Sequence, residues 1–201
     1  IHYGYSIKLL LKNRERHQQL EPNTNCLAFA PAYESNEPVA ALDMRSNQLR
    51  NGIAALDNTA DEIEGISHHF DGLFIDTWEA TKTNFVQDVA DYGILHLAMH
   101  GEADFNNPNF GHLIFSNIGV GATEESLLYH YEIANLNLNA QLAVLSACET
   151  GVGKYEEGEG VFSLARSFMY AGVPSIVMSL WKVNDKSTSQ IMPYFYSQLS
   201  A

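Results

Sequence analysis

Leu142-Ala-Val-Leu145 is a continuous apolar run that stops abruptly at Ser146, Ala147 and Cys148, with Gly151 and Gly153 close behind. A strand with no polar alternation fits only where both faces of a sheet are covered, which confines the chain to a largely parallel sheet with helices on either side. Cys148 then stands where a central strand ends. In open α/β sheets ligands bind in the crevice beyond the carboxyl ends of the strands, so a thiol there is a candidate nucleophile. Ile94-Leu-His-Leu-Ala-Met99 is a second run of the same shape, and it brings His100 and Gly101 to a second strand end. A cysteine nucleophile needs an imidazole to favour the thiolate or protonate the leaving amine, and that partner is usually distant in sequence but close in space.

The segments between these runs read as helices and further strands. Ile7-Lys-Leu-Leu-Leu11 reads as an edge element and Lys12 to Arg16 as a solvated loop. Leu27 to Ala30, before Pro31, is a first core strand, and Tyr33 to Pro38 is loop. Thr59-Ala-Asp-Glu62 has capping-box spacing, and Ile63, Ile66 and Phe70 continue it as a helix to about His69. Leu73 to Ile75 is a strand, and Thr81 to Val89 a helix with Phe85, Val86 and Val89 on one face. This alternation is the pattern of parallel βαβ units. After His100 the Gly, Asn and Pro content predicts a hairpin or loop insertion beside the crevice around His112 to Phe115, followed by one helical turn over Tyr131 to Ala134.

Gly160 to Ala171 is the clearest helix, with Val161, Leu164, Ala165, Phe168 and Met169 on one stripe and Gly172 as its stop. Ser175 to Leu180 is the next buried strand. The last helix, from about Lys186, carries Ile191, Tyr194, Phe195 and Leu199 on one face. Pro193 within it should kink it, at roughly 3 kcal/mol in an unsupported helix. The expected architecture is a three-layer α/β/α sandwich in one domain over residues 1–201. The chain opens on Ile1 and closes on Ala201 inside a helical pattern, which suggests a piece cut from a longer protein.

Composition excludes several classes of partner. The net charge is −13, with 11 basic residues against 24 acidic, so neither nucleic acid nor an anionic membrane surface is an expected partner. An acidic field concentrates cationic substrates, although acidity alone is commonly a matter of solubility. Two cysteines, Cys26 and Cys148, could form one disulfide but make no secreted framework; without a signal peptide or long apolar span, a reducing, cytoplasmic setting is expected.

Leu95-His-Leu-Ala-Met-His-Gly101, Leu145-Ser-Ala-Cys-Glu-Thr-Gly151, Gly158-Glu-Gly160 and Ser179-Leu-Trp-Lys-Val-Asn-Asp185 together resemble the CHAT domain, a bacterial branch of the caspase-like cysteine proteases related to separase. The likeness runs through roughly the C-terminal half and is looser before it. The caspase Gln-Ala-Cys pattern is not kept, since Ser146 replaces the glutamine and Glu149-Thr150 precede Gly151.

The resemblance implies a cysteine endopeptidase acting on a protein or peptide substrate, with Cys148 as nucleophile, His100 as its partner and no cofactor. It places the oxyanion hole at the backbone N–H groups of Gly101 and Cys148. Trp181-Lys-Val-Asn-Asp185 resembles the separase-like Trp-x-Val-x-Asp, whose aspartate receives a basic side chain, which implies cleavage after Arg or Lys. It also implies an upstream helical-repeat region as a partner within the same protein.

Each residue has a plainer reading. Cys148 alone would be a small buried hydrophobe, Asp185 an ordinary N-cap before Lys186 and Ser187, and Trp181 part of the core. Glu149, Glu156, Glu157 and Glu159 read as a solvated loop, as an attractor of cationic peptides, or as a segment ordered by a partner. Gly151-Val-Gly-Lys154 only hints at a phosphate loop, because Cys148 and Tyr155 stand where that motif needs Gly and Ser or Thr. His96 and His100, four apart on a strand, share a face, but no third ligand at recognisable spacing accompanies them and no metal is expected. The alternative to a protease is a caspase-fold binding or signalling module without turnover, with a nucleotide-binding enzyme a distant third.

Overall fold

In the computed structural model the described residues are 7–19, 21–33, 56, 58–102, 107, 110–117, 123–146, 159–179 and 185–201, without the side chains of Leu10, His17, 159–163 and Asp185. Along the chain come α1 (Ile7–Gln18), β1 (Cys26–Phe29), α2 (Thr59–Ser67), β2 (Gly72–Ile75), α3 (Lys82–Asp88), β3 (Ile94–Ala98), β4 (Gly101–Glu102), β5 (His112–Ile114), β6 (Leu127–Tyr129), α4 (His130–Asn135), β7 (Leu142–Ser146), α5 (Glu159–Ala171), β8 (Ser175–Met178) and α6 (Asp185–Leu199). Five strands form a wholly parallel sheet in the order β2-β1-β3-β7-β8. The two apolar runs, broken only by His96, lie side by side within it as β3 and β7.

Alternate side chains of these strands leave on opposite faces, and each set meets its own helices. Leu27, Phe29, Leu95, Leu97, Ala143 and Leu145 pack with Phe85 of α3, Ile133 of α4, and Leu164 and Phe168 of α5. Cys26, Ala28, Ile94, Ala98 and Val144 pack on the other side with Ile63 and Ile66 of α2 and Tyr196 of α6. The result is the expected α/β/α sandwich.

Three local expectations are corrected. Residues 7–11 open helix α1 instead of forming an edge element, and the helix continues through the segment read as loop. Lys, Leu, Glu and Arg are all good helix formers, and the α1 side chains find partners far along the chain. Asn13 Nδ2 donates to Met169 O at 3.0 Å, and Arg16 Nη2 to Asn137 Oδ1 and Asn139 Oδ1 at 2.8 and 3.1 Å. In α3, Thr81 caps the helix by accepting from Asn84 N at 3.2 Å, but only Phe85 and Val89 of the expected stripe are buried; Val86 is exposed. The capping box at Thr59 does not form: Asn58 is the N-cap and makes no side-chain cap bond, Thr59 Oγ1 donates to Leu56 O at 3.0 Å, and Glu62 is buried.

The face of α6 also differs from expectation. Ile191, Tyr194 and Leu199 are exposed, while Thr188 and Tyr196 are buried, and Met192 and Phe195 pack against the core. Pro193 lies inside the helix against α2, where Gly65 leaves room for it: a Cβ on Gly65 would come within 2.5 Å of Pro193 Cγ. Gly65→Ala should therefore lower stability by about 1–3 kcal/mol through overpacking of a ring that cannot swing away. A urea midpoint within error of the parent would contradict that account of the α2–α6 contact.

Helix α5 stops where expected, since Gly172 adopts φ +119° and its neighbour's Val173 N–H donates to Phe168 O at 3.0 Å. The insertion after His100 is more than a hairpin. Strands β4, β5 and β6 make a separate antiparallel sheet in that order, with Gly101 opposite Leu113 and His112 opposite both Glu102 and Tyr129.

Candidate active site

Strands β3 and β7 run side by side, with Ala98 paired to Ser146 at their carboxyl ends. Beyond Ala98 the chain leaves the large sheet and enters the small one at Gly101. His100 sits at that junction, 5% exposed. Its backbone is held on both sides: the N–H donates to Tyr33 Oη at 3.1 Å, and the carbonyl accepts from Ile114 N at 2.9 Å. Its imidazole lies against the Tyr33 ring, centroids 4.9 Å apart and planes tilted by 51°.

Tyr33 is a site residue that sequence reasoning assigned to loop. Its hydroxyl accepts from His100 and donates to Ile114 O at 2.7 Å, bridging the end of β3 to β5. Burial pushes its pKa above the usual phenol range, with the hydrogen bond from the His100 backbone opposing, so the O–H stays available as a donor. What brings Tyr33 here is strand pairing, which local sequence does not reveal: β1 lies beside β3 in parallel, Phe29 paired with Leu97, so whatever follows β1 reaches the same crevice as His100. Ser116 ties the neighbouring connections together, accepting from Ala32 N and donating to Thr77 O, both at 3.0 Å.

Gly101 begins β4 and is buried; a Cβ there would stand 3.2 Å from Leu113 Cδ2. The absent side chain keeps the backbone close to whatever lies at the end of β3. Among the described residues, Ser146 Oγ at the end of β7 is buried with no hydrogen-bond partner, and so is Ser179 Oγ just beyond β8. Cys148 and Trp181 lie outside the described residues. Asp185 is the first residue of α6, with its side chain outside the described set.

His96 does not share a face with His100, because β3 ends at Ala98 and His100 has already turned toward Tyr33. His96 is fully buried under α2 and α6. Its Nδ1 is 3.1 Å from Tyr196 Oη, and its Nε2 is 3.1 Å from Glu62 Oε1, off the hydrogen-bonding line. Tyr196 has its pKa raised by burial first and then by Cys26 and Glu62, so its proton stays on the phenol. Tyr196 O–H, His96 and Glu62 thus meet inside the layer, with His96 hydrogen-bonded to Tyr196 and in close polar contact with Glu62. Among the described residues no group of three His, Cys, Asp or Glu could hold a metal ion. Cys26 is a free thiol in the same layer, pushed up to about 12 by burial.

The CHAT domain profile matches residues 1–201, the whole chain. The chain belongs to the CHAT domain family. CHAT domains belong to a caspase-like peptidase superfamily, which fits a parallel sheet between two helical layers. Among solved structures this CHAT domain is similar to the Streptococcus pneumonia TIGR4 flavodoxin, with a TM-score of 0.46 and 13% identity over 88% of this chain and 97% of that one. No curated protein matches it. Among its described residues no helix is long and apolar enough to cross a membrane.

Proposed function

We propose that this CHAT domain is a cysteine endopeptidase that cleaves protein substrates after Arg or Lys, in a reducing, cytoplasmic setting. The observation that carries the reading is the shared end of β3 and β7: from the Ala98–Ser146 pair, His100 and Cys148 each stand two residues further along the sequence. Membership of a family within a caspase-like peptidase superfamily supports this reaction class.

In this reading His100 takes the Cys148 proton, and the thiolate attacks the carbonyl carbon of the scissile bond. The carbonyl electron pair moves onto oxygen, where the N–H groups of Gly101 and Cys148 stabilise it. When the tetrahedral centre collapses, the C–N bond breaks and His100 gives its proton to the departing amine, leaving a thioester on Cys148. Water, deprotonated by His100, attacks that thioester, releases the carboxylate product and restores the thiol. Asp185 receives the basic side chain before the cut bond, its two oxygens suiting an arginine fork, and Trp181 forms a flat wall beside it.

A peptidyl acyloxymethyl ketone ending in arginine should label the parent protein once and Cys148→Ala not at all. Cys26 contributes no background, because a thiol held near 12 is on the order of one part in ten thousand ionised at pH 8. Absence of labelling in the full-length protein, or labelling retained by Cys148→Ala, would instead support the binding module without turnover.

A further inference from the structure

The inner face of the small sheet, Gly101, Leu113 and Leu128, is buried, but its outer face carries a built surface that the peptide-bond chemistry does not use. Glu102, His112 and Tyr129 lie opposite one another across its three strands. The His112 ring is held by a hydrogen bond at one nitrogen, and its other nitrogen lies near a carboxylate beyond hydrogen-bonding distance. Nδ1–H donates to Phe110 O at 3.1 Å, and Nε2 faces Glu102 Oε2 at 3.6 Å.

Beyond Tyr129 the row becomes aromatic. Tyr131 stacks on Tyr129 with centroids 5.5 Å apart and planes within 11°. Phe110 stands edge-on to both, at 6.1 and 6.2 Å. Two of the three rings are open to solvent, Phe110 49% and Tyr131 44% exposed, while Tyr129 is half-buried beside them. Clustered exposed aromatics on a protein surface mark an interaction site.

The charges around the rings select the occupant. Glu124 Oε2 accepts from Tyr129 Oη at 3.0 Å, which leaves its other oxygen free of that bond, and Glu102 flanks the far end of the row. Lys82 is committed elsewhere, donating to Leu127 O at 2.7 Å and to both oxygens of Glu132 at 2.8 and 2.9 Å. Tyr129 is pushed up to about 12, by burial first and then by its hydrogen bond to Glu124 and the charges of Glu124, Tyr131 and Glu132. Aromatic faces and carboxylates together repel phosphate and favour a cation. A guanidinium suits them better than an ammonium, because it stacks flat on a ring and forks onto a carboxylate.

We propose that this face is an exosite for an arginine-bearing segment of a protein substrate, its guanidinium lying on the Tyr131 ring with Glu124 as the carboxylate partner. The row begins at Glu102, one residue past Gly101, so a chain seated there is delivered beside the candidate oxyanion hole. Its role in choosing substrates rests on the peptidase reading, whereas the binding itself does not.

The test measures fluorescence anisotropy of a labelled tetra-arginine peptide on the full chain carrying Cys148→Ala, so that no turnover is needed. Adding Tyr131→Ala, which leaves net charge unchanged, should weaken binding about five- to thirtyfold, while Tyr131→Phe keeps it within about twofold. Glu124→Gln should weaken binding and flatten its salt dependence. Thermal midpoints matching the parent show that each variant is folded. The proposal is overturned if Tyr131→Ala binds like the parent, if Tyr131→Phe loses as much as Tyr131→Ala, or if a neutral tetra-citrulline peptide binds as tightly as tetra-arginine. Ring-dependent binding, with the parent protein that retains Cys148 failing to cleave an arginine peptide, would sink the peptidase reading and leave the surface standing.

Discussion

His100→Ala, assayed on a peptide with arginine before the cut bond, should lose about two to four orders of magnitude in kcat with little change in KM. The size follows from what is removed. Without the imidazole the amine must leave unprotonated, and the thiol must find its base in solvent. The split between the constants follows from the transition state, since a group that moves a proton only while the bond is breaking contributes nothing to holding the substrate. His100 is buried against Tyr33, so some loss of packing accompanies the change. A purely structural role would lower the melting temperature and leave the surviving folded enzyme active. Burst kinetics separate the two, because a folded but impaired enzyme acylates slowly in every molecule, whereas a part-unfolded one acylates fast in fewer. Full kcat in folded His100→Ala would remove His100 from the reaction.

Glu62→Ala should cost about 1–3 kcal/mol of stability, because removing the carboxyl group leaves the His96 imidazole buried beside an empty space. The double change Glu62→Met with His96→Leu should recover most of that loss, since apolar groups of similar volume need no partner there. Tyr196→Phe, which deletes one neutral hydrogen bond, should cost only about 1 kcal/mol. Urea midpoints at constant m-value measure all three. A loss below about 1 kcal/mol in Glu62→Ala would mean that the carboxylate and the imidazole do not meet in solution.

The parallel core was legible because both central strands, His96 apart, carry apolar residues on both faces, and that pattern allows little else. Terminal helices and polar partners were harder to read. Residues 7–11 read as an edge element because a short apolar run carries no period, and what settles α1 as a helix is its bonding to Met169, Asn137 and Asn139, far away in sequence. Glu62 matched the spacing of a local cap while its carboxylate belonged to a histidine on another element. On α6, Ile191, Tyr194 and Leu199 looked like core by hydrophobicity alone, yet the close approach of Pro193 to Gly65 helps set which stripe faces the sheet. His100 and Gly101 were legible as a strand end, whereas Tyr33 was not, since its part depends on β1 lying beside β3.

The central claim is that one sulfur and one imidazole, reached from neighbouring strands, act on the same peptide bond. A crystal structure of the protein with a peptidyl argininal tests it most directly. The account predicts a thiohemiacetal between Cys148 Sγ and the aldehyde carbon, its oxygen within hydrogen-bond reach of the Gly101 N–H and the His100 ring about 3–4 Å from the adduct. An aldehyde left unbonded, or bonded to Cys148 in a different layer from His100, would contradict it.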